Sequence, residues 1–437
     1  MTHARPPLPA GPYLVVGLAR SGVAAALALA AARPGERIVA VDSGRPDEAL
    51  AAREGLEQAG VEVHLESDGT QALEASPPPA TLVKSPGVPQ DAPVVARARR
   101  EGLEVIGELE LGWRLVPNEF IAVTGTNGKT TTVELIGAMH RTAGVPVAVA
   151  GNVGTPVSSL AGTLDPAATV VCEASSFQLE DSSAFAPEAA VFLNFSEDHL
   201  DRHSTLDDYR DAKLRIFANQ APADLAVVSA DVDLPSPPAA RVVRFGSDDS
   251  VAGADEVRLR GPHNLLNATA AALVCLERGI DPAAVRQTLR DFSGIEHRME
   301  HVADIGGVEY VNDSKATNVT AAAAALRSFD KGVYAILGGS LKGGGFAELA
   351  PVVAERCRAC YLIGEAAGQL AEDLAGTGVE LVRCGDLERA EIEASKRARP
   401  GEVVLLAPAC ASFDQYRDFE ERGEHFKELV HRLEGTR

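Results

Sequence analysis

The sequence predicts an α/β protein of three domains, each a mainly parallel sheet covered by helices. Three observations predict it. Strand-like and helix-like segments alternate almost throughout, the pattern of parallel sheets packed between helices. Two strands run straight into glycine-bearing loops that open helices, Gly17–Gly22 and Gly125–Thr131. The length, 437 residues, exceeds what one core organises when a domain takes roughly 100–200 residues.

The first block, 1–107, opens with Tyr13-Leu-Val-Val-Gly-Leu18, a short apolar strand. An alanine-rich helix follows from Ser21. A second strand, 37–41, ends at Asp42, and further strands lie near 61–65 and 81–84. Ser85-Pro-Gly-Val-Pro89 cannot continue a strand, because proline offers no backbone donor, and must be a loop. In the second block, 108–297, Phe120-Ile-Ala-Val-Thr124 is a strand feeding a glycine loop. Strands are expected at 169–172, 189–193 and 225–229, with helices at 206–218 and 263–276. The third block, 298–437, begins with a hairpin over 302–311 that turns at Gly306-Gly307. Strands recur at 333–337, 359–363, 379–382 and 403–406, another doubly wound unit.

Composition is that of a soluble globular protein, 46% apolar and 24% charged. The formal net charge of -21 argues against a nucleic-acid binder, which must neutralise phosphates over a broad surface. It leaves room for a small anion held by one lysine and a helix N-terminus. No stretch reaches the ~18 apolar residues of a membrane span. The opening MTHARPPLPAG has no apolar core of a signal peptide, so a cytoplasmic protein without membrane insertion is expected. Of six cysteines, only Cys357 and Cys360 form a C-x-x-C, and no second pair completes a zinc site. Ordinary reduced thiols are expected.

Gly125-Thr-Asn-Gly-Lys-Thr-Thr131 has the strand-before, helix-after context of a phosphate loop. Its glycines let backbone N–H groups turn toward phosphate oxygens. Lys129 adds a point charge, the Thr130 hydroxyl can ligate Mg²⁺, and the helix dipole favours the anion. Gly125 stands three residues before Gly128, where the longer pattern has five, so this is a shortened P-loop. Such a loop implies a bound nucleoside triphosphate and leaves the second substrate open.

Gly17-Leu-Ala-Arg-Ser-Gly22 approximates G-x-G-x-x-G with alanine at the middle glycine, and Asp42 follows twenty residues after Gly22. Three readings stand: a dinucleotide site, a turn packed by glycines, or a cradle for the diphosphate or uridine of another nucleotide. Glu173 lies at a strand's C-terminal end, where open α/β sheets build sites. A second loop, Asn194-Phe-Ser-Glu-Asp-His-Leu-Asp-Arg-His203, clusters Asp198, His199, Asp201 and His203. Glu173 and His199 each offer a ligand for a divalent ion beside the phosphates. Lys213 sits about two turns into the helix that starts at Leu206. By itself it reads as a solvated helix lysine.

Taken in order, these segments resemble the Mur ligases: the P-loop, Glu173-Ala-Ser-Ser-Phe-Gln-Leu-Glu180, the Asn194–His203 loop, His263-Asn-Leu-Leu-Asn267, Asn312-Asp-Ser-Lys-Ala-Thr-Asn318 and Ala407-Pro-Ala-Cys-Ala-Ser-Phe-Asp-Gln-Tyr416. The resemblance covers essentially the whole chain. The P-loop and the Glu/His loops are shared with folylpolyglutamate synthases. The Ser-Ser-Phe-Gln-Leu, Asp-Ser-Lys-Ala-Thr-Asn and Ala-Cys-Ala-Ser segments point to the D-glutamate-adding branch. The resemblance implies a Rossmann-like UDP-binding domain, a central P-loop ATPase domain and a C-terminal Rossmann-like domain for the amino acid. It implies a cytoplasmic monomer that uses ATP and two Mg²⁺ ions to add D-glutamate to UDP-N-acetylmuramoyl-L-alanine in peptidoglycan precursor synthesis.

The resemblance also implies roles, residue by residue. Gly125, Thr126, Asn127, Gly128, Lys129, Thr130 and Thr131 would hold the phosphates. Asn264, Asn267, Arg298 and Asp313 would surround adenine and ribose. Thr130 and Glu173 would ligate one Mg²⁺ and His199 the other, with Lys213 matching a carbamylated lysine. Lys315 and Thr317 fall beside the reaction centre. Arg20, Ser21, Asp42, Ser43, Ser85, Pro86 and Gly87 match the uridine and diphosphate side, and Asn152 the muramoyl-alanine part. Lys342, Ser412 and Phe419 match D-glutamate contacts, with Phe413 where relatives often carry leucine. Two alternatives remain on the sequence: another amide ligase of the same superfamily, and an NAD(P)-binding dehydrogenase or regulatory protein using Gly17–Gly22.

Overall fold

Three sheets carry the fold in the computed structural model, which describes residues 3–196, 203, 205–246, 262–292, 294–341 and 345–434. The first sheet comprises β1 (Tyr13–Val16), β2 (Ile38–Val41), β3 (Val61–His64), β4 (Thr81–Lys84) and β5 (Glu104–Gly107), in the order β3-β2-β1-β4-β5. The second comprises β6 (Glu119–Thr124), β7 (Val147–Gly151), β8 (Thr169–Glu173), β9 (Ala189–Phe192), β10 (Leu225–Ser229) and β11 (Arg241–Phe245), in the order β11-β10-β9-β6-β8-β7. Every pair in these two sheets is parallel. The third comprises β12 (Glu300–Ile305), β13 (Val308–Asn312), β14 (Val333–Gly338), β15 (Cys357–Ile363), β16 (Glu380–Gly385) and β17 (Val403–Leu406), in the order β12-β13-β17-β14-β15-β16. There only β12 is antiparallel, joined to β13 through Gly306-Gly307, both at positive φ.

Parallel strands buried on both faces need apolar residues at odd and even positions alike. The central sheet shows this. Ile121, Val123, Val171, Val191 and Val227 pack on one face, under helices Lys129–Thr142 and Pro262–Glu277. Phe120, Ala122, Val170, Cys172, Ala190, Phe192 and Val228 pack on the other, against Leu109, Trp113, Leu179 and Ile216. The third sheet divides in the same way, with Ala335, Leu337 and Leu405 on one side and Ile336, Tyr361 and Leu406 on the other.

The chain forms two compact units. Met1–Phe292 contains the first two sheets and Ser293–Arg437 the third. Three edge strands, β5, β7 and β11, are not foreseen from the sequence. Edge strands bury less, and β11 carries Arg241 and Arg244 within five residues. The helix expected over 206–218 is α-helical only for Leu206–Leu214 and tightens to a 3₁₀ turn over Arg215–Phe217. Among the described residues no helix is long and apolar enough to cross a membrane.

Candidate active site

In each sheet the glycine, acidic and serine loops singled out from sequence leave the C-terminal ends of neighbouring strands where the strand order reverses, while Asn152 follows the edge strand β7 and Lys213, Asn264 and Asn267 come from helices. In the first sheet these strands are β2, β1 and β4, in the second β9, β6 and β8, and in the third β13 and β17. A crevice opens at such a reversal because consecutive connections run to opposite faces of the sheet.

The central crevice holds the P-loop. Gly128 caps the helix Lys129–Thr142 at φ 81°, and a β-carbon there would meet the Asn267 side-chain oxygen at 2.2 Å. Glycine is required both by the left-handed conformation and by that approach. Asn267 is buried and donates through Nδ2 to Asn264 Oδ1 at 3.3 Å, so these two adenine-side candidates lie together against the loop. Asn194, just past β9, grips the other side: its Oδ1 accepts from Asn127 N at 2.9 Å and its Nδ2 donates to Asn127 O at 3.1 Å. Thr130 Oγ1 donates to Glu173 Oε2 at 2.8 Å, and Asn152 Nδ2 donates to Glu173 Oε1 at 3.0 Å. Both Thr130 and Glu173 are buried. The helix after Glu173, Ser176–Glu180, starts from a capping box made by Ser175 and Gln178. Lys129 donates to the carbonyls of Gly125 and Thr126, at 3.0 and 2.9 Å. Lys213 is 1% exposed and donates to the same Gly125 carbonyl at 2.7 Å, with its Nζ 4.5 Å from the Tyr209 ring centre. It is no solvated helix lysine.

In the first sheet a β-carbon at Gly22 would fall 1.7 Å from Gly17 O, so the third glycine of the loop is fixed by packing. Ser85 Oγ donates to Gly17 O at 2.8 Å and ties the β1 and β4 loops together. Asp42 spends both oxygens on the backbone, accepting from Leu18 N at 2.6 Å and Gly44 N at 2.8 Å. That carboxylate braces the loops that leave β1 and β2, one through each oxygen. Arg20, Ser43 and Gly87 are exposed around it, and Ser21 and Pro86 half-buried.

In the second unit, Asp313 follows β13 and accepts from Met299 N at 3.1 Å. Burial pushes its carboxyl up to about 6, against the opposing pull of the Met299 N–H, Arg298 and Lys315. His297 and Met299, on either side of Arg298, stand at φ 61° and 45°. Such conformations are costly for residues with a β-carbon and concentrate at functional sites. Lys315 Nζ lies 5.7 Å from the centre of the Phe419 ring. Ser412 is 2% exposed and its carbonyl accepts from the amides of Gln415 and Tyr416, whereas Phe413 is 68% exposed.

Residues 123–253 match the Mur ligase middle domain and 297–410 the Mur ligase glutamate ligase domain. The UDP-N-acetylmuramoylalanine–D-glutamate ligase of Pelotomaculum thermopropionicum is 40% identical over 95% of this chain and 96% of its own. The chain belongs to the Mur ligase family. Proteins of the same name from Koribacter versatilis and Geobacter metallireducens are 40% and 41% identical, each over 96% of this chain and 97% of its own. Among solved structures, the UDP-N-acetylmuramate–alanine ligase of Thermotoga maritima aligns with TM-score 0.56 at 19% identity, over 98% of this chain and 100% of that one. At that identity the likeness is one of fold, and the fold is the three-domain α/β architecture expected.

In this Mur ligase the sites foreseen from sequence fall into place unevenly. Thr130, Glu173, Asn152, Lys129 and Lys213 converge on one P-loop, and Asn264 and Asn267 adjoin it. His199 and Lys342 lie outside the described residues, as do Asp198 and Asp201. The sequence reading missed Asn194 as a P-loop clamp, although its place at the end of a central strand was a usable signal. It also missed the role of His203, which stacks on Phe177 with ring centres 5.3 Å apart and lies 3.0 Å from Ser176 Oγ through Nε2.

Proposed function

We propose that this chain is an ATP-dependent ligase that adds D-glutamate to UDP-N-acetylmuramoyl-L-alanine through an acyl phosphate, releasing ADP and phosphate, in peptidoglycan precursor synthesis. The observation that carries the reading is identity of 40% along nearly the whole chain with ligases named for that reaction. The geometry of the P-loop supports it.

A carboxylate is a poor acylating agent because its leaving group would be oxide. Phosphorylation of the L-alanyl carboxylate by ATP supplies phosphate as the leaving group, and the D-glutamate amine then attacks the carbonyl carbon. Both steps gather negative charge on oxygen, so positioning and electrostatics carry the catalysis. Lys129, with the backbone of Gly125–Thr131 at a helix N-terminus, binds the transferring phosphoryl group. The neighbouring Thr130 hydroxyl and Glu173 carboxylate, 2.8 Å apart, are hard oxygen donors that suit Mg²⁺. Bound there, Mg²⁺ stabilises charge on phosphoryl oxygens. We assign a second ion to His199 with Lys213 as its carbamate. Asn264, Asn267, Arg298 and Asp313 are assigned to the nucleoside, Lys315 and Thr317 to the reacting groups, and Lys342, Ser412, Phe413 and Phe419 to D-glutamate. Arg20, Ser21, Asp42, Ser43, Ser85, Pro86, Gly87 and Asn152 are assigned to the UDP-muramoyl substrate, with Asp42 and Ser85 acting through the loops they brace. We place the domain boundaries at 107/108 and 297/298, and the enzyme in the cytoplasm as a monomer.

The test is phosphate release from ATP with Mg²⁺ and UDP-N-acetylmuramoyl-L-alanine, comparing D-glutamate with L-glutamate, L-lysine and meso-diaminopimelate. Stimulation by D-glutamate alone is expected. Stimulation by a diamino acid instead would move the chain to another branch of the family.

A further inference from the structure

Arg422 lies in the helix Phe419–Glu434, is 1% exposed, and makes four hydrogen bonds, all to neutral oxygens. Nε donates to Ser314 Oγ at 3.0 Å, Nη2 to Ser314 O at 2.9 Å and Cys410 O at 3.1 Å, and Nη1 to Ala411 O at 3.2 Å. Burial without a paired carboxylate lowers its affinity for the proton, to a value of about 10, which still leaves it charged at neutral pH. The carboxylate that acts on it, Asp414, is engaged elsewhere, accepting from Ser340 Oγ at 3.3 Å and Glu365 N at 3.1 Å. A buried guanidinium is costly, and an ordinary stability role would be served as well by an apolar side chain.

The partners explain its place. Ser314 precedes Lys315 in the loop after β13, and Cys410 and Ala411 precede Ser412 in the loop after β17. Ser314 Oγ in turn donates to the carbonyl of Phe419 at 2.8 Å. The third loop joins through Gly339, just past β14, where a β-carbon would meet Ala411 O at 2.1 Å and Arg422 Nη1 at 3.0 Å. One planar, five-donor group thus binds the loops that carry Lys315 and Ser412 to the helix that starts at Phe419, and fixes their mutual spacing.

We infer that Arg422 is a positioning residue for the acceptor amino acid. It holds Lys315, Ser412 and Phe419 in the arrangement that receives D-glutamate, and does not itself touch the substrate. The inference rests on the assignment of Ser412 and Phe419 to D-glutamate.

The test uses the full-length enzyme, with phosphate release measured against varied D-glutamate and, separately, varied ATP. Arg422→Gln should raise the KM for D-glutamate by about tenfold or more, the loss of at least one charge-assisted hydrogen bond. Arg422→Lys, which keeps the charge but not the fork, should recover only part of this. Ser314→Ala should move the same constant in the same direction, and the Ser314→Ala/Arg422→Gln pair should fall short of the product of the single effects. The KM for ATP should stay within about twofold, since loss of shared ground-state contacts to one substrate leaves the other's binding alone. If Arg422→Gln does not fold, Ser314→Ala alone decides. Equal loss on both substrates, or no change with D-glutamate, overturns the inference. Ser412→Ala separates the two levels: if it leaves the D-glutamate KM unchanged, the acceptor assignment itself fails. If it raises that KM while the Arg422 and Ser314 variants do not, only the role of Arg422 fails.

Discussion

Lys129 and Lys213 meet at a single acceptor, the carbonyl oxygen of Gly125, at 3.0 and 2.7 Å. They come from helices far apart in sequence, and Lys213 arrives fully buried. A neutral amine is the form that attacks carbon dioxide, and the resulting carbamate would put an anion where a second cation now crowds the P-loop. Lys213→Ala should lower turnover by on the order of a hundredfold or more, the scale of losing a group that orients metal ligands. Short carboxylic acids should restore part of it. Wild-type enzyme depleted of bicarbonate should lose activity and regain it with CO₂. A dead variant that acids never rescue, together with CO₂-independent wild type, would leave Lys213 as a structural cation.

Lys129 differs in kind, being half-buried at the start of its helix with its ammonium on the carbonyls of Gly125 and Thr126. Lys129→Ala should cut acyl-phosphate formation by at least about a thousandfold, because it removes the charge opposing the transferring phosphoryl group. The measurement is single-turnover ADP formation without D-glutamate. Near-normal turnover would remove the nucleotide assignment from this loop.

How far the sequence carried this depends on where the information resides. Glycine spacing after an apolar strand is local, so the P-loop, its helix and the crevice at β6 could be read directly from residues 120–142. The Thr130–Glu173 pair could be expected because Glu173 ends β8 and Thr130 opens the helix fed by its neighbour β6. Lys213 could not be placed from its own residues. A lysine on a helix that opens Leu206-Asp-Asp looks solvated, and it is the tertiary contact with the Gly125 carbonyl, beside the Tyr209 ring one turn back, that marks it as buried. Arg422 is hidden for the same reason: Phe-Glu-Glu-Arg-Gly-Glu reads as a charged helix start. Buried charges held by backbone carbonyls leave no pattern in sequence, because carbonyls are present everywhere.

The Asp313 carboxyl gives a pH signature. Burial raises its proton affinity to about 6, from about 3.8 for an ordinary aspartate. Between those values the folded protein holds a proton that the unfolded chain has lost. This group therefore contributes stability at acid pH that declines as pH rises through the window, and nothing changes above it. Function runs the other way. Only the ionised carboxylate accepts hydrogen bonds at both oxygens, so the KM for ATP should rise as pH falls below about 6. Asp313→Asn should flatten that rise while raising the KM at neutral pH. A KM for ATP that stays constant from pH 5.5 to pH 8 in the wild type, each about half a unit or more from that midpoint, would remove Asp313 from the nucleotide site.

The link between the first two sheets gives the last prediction. Lys84 and Asp181 are both fully buried and paired at 2.8 Å, and Lys84 also donates to the carbonyl of Val88 at 2.7 Å. Lys84 ends β4 and leads into Ser85-Pro-Gly87, while Asp181 ends the helix Ser176–Glu180 that follows Glu173. The pair therefore ties the loop assigned to UDP to the segment that follows Glu173. Arg99, 43% exposed, and Gln90 also reach Asp181 Oδ1, at 3.2 and 2.9 Å, but neither replaces the buried ammonium. Lys84→Met strands a buried carboxylate and should cost about 3–5 kcal/mol in chemical denaturation of the first unit. Lys84→Met/Asp181→Leu removes both charges and should recover much of that loss, because it no longer leaves either ion alone. If the double variant folds as well as wild type yet shows a raised KM for UDP-N-acetylmuramoyl-L-alanine, the pair sets the loop's position as well as stability. If its kinetics are unchanged, the pair is structural only. A single variant as stable as wild type would mean that solvent or Arg99 already neutralises Asp181.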